Sequence, residues 1–79
     1  MTEVDVQQIK RVSDQMAITD GGGPFSTAEQ IAGAIVNNRL DWLPGGSSEW
    51  HIADALGRLG SDWVLAVVEV RSRNWNGRW

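Results

Sequence analysis

A chain of 79 residues with no cysteine and a single histidine is one domain at most, and neither a disulfide framework nor a zinc site of the usual Cys/His kinds is open to it. The formal charge of −3 and pI of 4.8 argue against general affinity for nucleic acid, because Lys and Arg neutralising phosphates supply nearly all non-specific binding. The longest apolar run, Trp63–Val68, is far too short to span a bilayer, and the lack of cysteine and of a signal-peptide pattern fits a cytoplasmic protein with no membrane role.

A domain this short buries only about 60% of the surface its unfolded chain exposes. Its stability has to come from apolar packing, with the five tryptophans prominent, or from self-association as a homodimer. A first helix is predicted from about Thr2 to Ile18. Thr2 caps it, Glu3 and Asp5 suit its first turn, and Val6, Ile9, Val12 and Met16 form an apolar stripe. Gln7, Lys10, Arg11 and Asp14 lie off that stripe. Thr19-Asp20-Gly21-Gly22-Gly23-Pro24 then stops the helix. Three consecutive glycines invite a phosphate-loop reading, but the lysine, the Ser/Thr and the preceding strand are missing, so the segment reads as a turn.

A second helix opens at Ser26-Thr27, where Ser26 with Glu29, or Thr27 with Gln30, makes a capping box. Ala28, Ile31, Ala32, Ile35 and Val36 give the cleanest amphipathic pattern in the chain, and Asn37-Asn38 marks its end. Small residues at Ala28, Ala32, Gly33 and Ala34 allow another helix to approach closely. The following loop, Leu40–Ser47, carries Trp42 and Leu43, which a domain short of core is expected to tuck beneath its helices.

The most continuous apolar pattern lies in Ser48–Arg73. Ser48 and Glu49 provide a helix start, and Ile52, Ala53, Leu56 and Leu59 recur at helical spacing up to Gly60. Ser61-Asp62 can cap whatever follows. Residues 63–73 are ambiguous. Their valines favour a strand, but no return strand is available: after Asn76-Gly77 only two residues remain. A helix is the better prediction. Asn74–Trp79 reads as a flexible, basic and aromatic tail to a single domain spanning 1–79.

The small residue Ala53 four before Gly57, with Trp63-Val64 placed to seat a second helix, resembles a helix-turn-helix over about a third of the chain. The resemblance implies a mainly α, four-helix domain of helix-turn-helix type, with a winged helix carrying a strand at 64–73 as the alternative. It also implies a small non-enzymatic regulator binding duplex DNA. The charge distribution is compatible with this: residues 1–62 hold four cations against nine carboxylates, whereas residues 63–79 hold three arginines against Glu69. Arg71, Arg73, Trp75 and Arg78 are the candidate nucleic-acid contacts.

His51, with Glu49 and Asp54 near it, is the only imidazole. A catalytic arrangement needs a third group and usually a nucleophile, neither of which is supplied, so no catalytic residue, metal ligand or cofactor is expected. The alternative function is a protein-interaction module acting on a host protein, as a phage-encoded inhibitor or accessory subunit would. Trp42, Trp50, Trp75 and Trp79 are its candidate anchors, because tryptophan is enriched among residues that dominate binding energy.

Overall fold

The computed structural model describes residues 2–44 and 51–73. Among these residues four α-helices run in the order α1 (Glu3–Thr19), α2 (Thr27–Val36), α3 (Ile52–Leu59) and α4 (Ser61–Arg73), with one 3₁₀ turn, Leu40–Trp42, after α2. The expected four-helix domain is therefore present. Residues 64–73 continue as helix, so the winged alternative does not hold.

Local rules account for the first two helices. Thr2 Oγ1 accepts from the Asp5 amide, 3.1 Å away, and the chain leaves α1 through Asp20 in the left-handed region at φ 55°. For α2 the capping box is the Ser26–Glu29 one. The Glu29 amide donates to Ser26 Oγ at 3.2 Å, and Ser26 N donates back to Glu29 Oε1 at 2.9 Å. Gln30 is thereby released from capping. Its Nε2 donates to the carbonyls of Gly21 and Trp42, at 2.9 and 2.8 Å, and so ties the loops on both sides of α2 to the helix.

The element at the centre of the molecule is α2. Ile31, Ala32, Gly33 and Ala34 are buried in succession and Val36 with them, so α2 is covered nearly all round. It packs against α1, α3 and α4, while α1 and α3 do not touch. On α1 the inward stripe is the expected one, Val6, Ile9, Val12 and Met16, with Ser13 also buried. Ser13 satisfies its hydroxyl by donating to the Ile9 carbonyl at 2.7 Å. The Ser13 carbonyl in turn accepts from Asn37 Nδ2 at 3.1 Å, which pins the end of α2 to the middle of α1.

Two expectations for the second half need correction. The described helix α3 begins at Ile52, not near Ser48; Ser48 and Glu49 lie outside the described residues, and the cap is His51, whose Nδ1 accepts from the Ala53 amide at 3.2 Å. Its inward residues are Ala55 and Leu59, whereas Ile52 and Ala53 face solvent. With His51 as the cap, the pair four apart that meets the core is Ala55 and Leu59. Gly60 alone separates α3 from α4. At φ +80° it occupies a conformation that glycine adopts without the clash a Cβ would bring. Ser61 and Asp62 already belong to α4, which buries Ala66, Val67 and Val70 against the other three helices. No described helix is long and apolar enough to cross a membrane.

The two helical glycines do opposite things. A Cβ on Gly33 would run into Met16 Sδ and sit 3.4 Å from Val12 Cγ1, while one on Gly57 would meet nothing within 4 Å. Gly57→Ala is expected to stabilise the domain by about 0.5–1 kcal/mol through helix propensity. Gly33→Ala is expected to destabilise it by about 1–2 kcal/mol, because overpacking a filled core outweighs the same gain in propensity. Urea unfolding of the two variants checks the opposite signs.

Candidate functional site

Of the candidate nucleic-acid contacts, Arg71 and Arg73 lie among the described residues, in the last turn of α4. Arg73, at the last turn of α4, is held by carboxylates from two helices. Its Nη1 and Nη2 donate to the two oxygens of Glu3, both at 2.9 Å, and its Nε donates to Glu69 Oε2 at 2.7 Å. This fork-on-fork geometry is the strongest form of arginine–carboxylate pairing, and it directs the guanidinium towards its own protein. Gln7 Nε2 adds a further donor to Glu3 at 2.8 Å. The Arg73 hydrogen bonds, with help from Gln7, draw the Glu3 carboxyl from its ordinary 4.5 down to about 2, and the same pairing raises the Arg73 pKa. Arg71 is exposed on the same helix end, and Trp75 and Arg78 lie outside the described residues.

Of the four candidate tryptophan anchors, one lies among the described residues. Trp42 tucks under the helices, as a core-poor domain requires, and is not displayed as an anchor. Its ring lies where a Cβ on Gly21 would be, 2.6 Å from Cγ, and the Arg39 guanidinium covers it at 4.7 Å from the ring centroid. Arg39 is fixed there by two hydrogen bonds to Asp41, at 2.9 and 3.0 Å. Trp50, Trp75 and Trp79 lie outside the described residues. The residues that carry the helix-turn-helix resemblance differ in their surroundings. Ala53 is exposed and Gly57 faces open space, while Val64 packs against the core.

A surface that the sequence pattern does not announce is the outer face of α1. Val4 and Ile18 are 75% and 81% exposed there, and between them lie Gln8, Arg11 and Gln15. At the Val4 end a groove of about 610 Å³ opens between α1 and the turn that precedes α2, with Val4, Val12, Pro24 and Phe25 as its apolar lining. A smaller depression of about 300 Å³ continues along the helix to Ile18.

Phe25 reaches the groove for an identifiable reason. An apolar residue just before a helix cap ordinarily packs on the residue four into the helix, but that residue is Gln30, already committed to two carbonyls. The Phe25 ring instead folds back over Gly23, where φ is +137° and any Cβ would meet the ring at 2.6 Å. The signal available in the sequence was Val4 and Ile18, two apolar residues that do not fit the 6-9-12-16 stripe.

The groove's charges are unevenly committed. Glu3 is occupied by Arg73 and Gln7. Glu29 accepts from Ser26 N and from Gln8 Nε2 at 3.2 Å, and these bonds lower its carboxyl pKa. Arg11 has neither an ion pair nor a side-chain hydrogen bond among the described residues. The lining therefore presents hydrocarbon, amides and one uncommitted cation.

No protein-family model matches the chain. No curated protein and no solved structure matches it either.

The Glu3–Arg73 pair makes a testable statement about acid. A carboxyl whose pKa is depressed on folding contributes stability that is complete above its unfolded value and fades as pH falls through its folded one. The window here runs from about 4.5 down to about 2. The difference in urea stability between wild type and Glu3→Gln is expected to be constant above pH 5 and to shrink steadily below about pH 4.5. A difference that does not change over that window would show that the pair does not couple to folding.

Proposed function

We propose that this domain is a non-enzymatic protein-interaction module working through the outer face of α1. The observation that carries this reading is the groove bounded by Val4, Val12, Pro24 and Phe25, continued by a strip ending at Ile18. The opposite face of α1 is already filled by core, so Val4 and Ile18 contribute nothing to the interior. Apolar side chains held exposed beside a concave, amide-rimmed surface suit a partner that buries them, at about 25 cal/mol for each Å² removed from water.

The reading as a DNA-binding regulator has less support. Of its four residues, Arg73 is engaged by two carboxylates, Trp75 and Arg78 lie outside the described residues, and Arg71 stands at the exposed end of α4. A chain of net charge −3 also repels a polyanion at long range.

Because Val4 and Ile18 are surface residues, Val4→Glu and Ile18→Glu should fold as the parent does. Tagged protein retrieved from the cells that make it is expected to bring down a partner that both variants lose and that Leu65→Glu, on the exposed face of α4, retains. Retention of that partner by the two α1 variants would rule out this face. Titration with duplex DNA at low salt is expected to show no binding. Affinity that falls steeply with salt and weakens in Arg71→Gln would restore the DNA reading.

A further inference from the structure

We infer that the outer face of α1 receives an amphipathic helix of a partner protein, and that Arg11 selects one carrying a carboxylate at its centre. The inference rests on the interaction reading above and names the partner's chemistry. Val4, Gln8, Arg11, Gln15 and Ile18 are separated alternately by four and three residues, the spacing with which two helices pack side by side. The face is apolar at both ends and polar between, and at 1.5 Å per residue it spans roughly 21 Å, about four helical turns. The groove and the smaller depression share Gln7, Arg11 and Gln15, so the surface is continuous over that length. This is the form of site into which a helix lays its apolar side chains.

Charge decides which helix. Both groove carboxylates, Glu3 and Glu29, already accept hydrogen bonds from within the domain. Arg11 has no such partner among the described residues and lies midway between Val4 and Ile18. An apolar helix laid along α1 would cover that guanidinium without replacing the water it loses, whereas a glutamate or aspartate opposite it restores the hydrogen bonds. A lone polar position within a helical seam also fixes register. A second copy of this chain is a poor occupant. Pairing Val4 with Ile18 of a two-fold mate sets residue 11 on the axis and brings two arginines together.

The test uses the full chain labelled with ¹⁵N and three synthetic amphipathic peptides of about fifteen residues. The peptides share leucines at alternating four- and three-residue spacing and differ in a single central residue, glutamate, glutamine or lysine. The glutamate peptide is expected to shift the amides of α1 and of Phe25 and to bind about three- to tenfold more tightly than the glutamine one. Arg11→Gln should remove that preference, and Arg11→Glu should transfer it to the lysine peptide, an inversion that a misfolded variant would not give. Equal binding of the glutamate and glutamine peptides overturns the selection by Arg11 and leaves the interaction face standing. Failure of all three peptides to shift α1 overturns both.

Discussion

Met16 occupies the space that any side chain at Gly33 would need, and the rest of the arrangement follows from that contact. With no Cβ on α2 at this position, α1 comes close enough for Met16 to be fully buried and for α2 to be enclosed on several sides. The contact also sets the rotation of α1 about its own axis. Once Met16 and Val12 face Gly33, the residues on the far side are committed to solvent, and these include Val4, Arg11 and Ile18. An interior packing constraint thereby determines the composition of the exterior face.

Polar side chains complete what the core begins. Gln30 holds two loop carbonyls that would otherwise need water, and Asn37 closes the end of α2 on α1. Each bond is worth on the order of 1 kcal/mol. Their larger effect is geometric, because they place the 3₁₀ turn and the Pro24–Phe25 turn at fixed positions beside the helices. The groove owes one of its walls to this.

The sequence made the helices legible where local chemistry and burial agree. The stripe at Val6, Ile9, Val12 and Met16 stands as read, and of the two capping boxes open to α2 the Ser26–Glu29 one forms, because capping and periodicity there point the same way as the packing. Residues 63–73 were ambiguous since β-branched valine weighs against helix by a few tenths of a kcal/mol per residue. That preference is small beside the burial of Ala66, Val67 and Val70 against three neighbouring helices. The start of α3 shows the reverse failure. Ser48-Glu49 satisfies the local rules for a cap but lies outside the described residues, and His51 caps α3, on which Ala53 faces solvent. As for the interaction face, its residues are scattered between a helix and a turn, and only the fold brings Phe25 alongside Val4 and Val12. No spacing in the sequence encodes that proximity.

The clasp of Glu3 on Arg73 joins positions seventy residues apart in the chain. It therefore exists only when the opening turn of α1 and the closing turn of α4 are both docked, so the two helix ends should breathe as one unit and not fray separately. Deuterium uptake at the first turn of one helix would then keep pace with uptake at the last turn of the other.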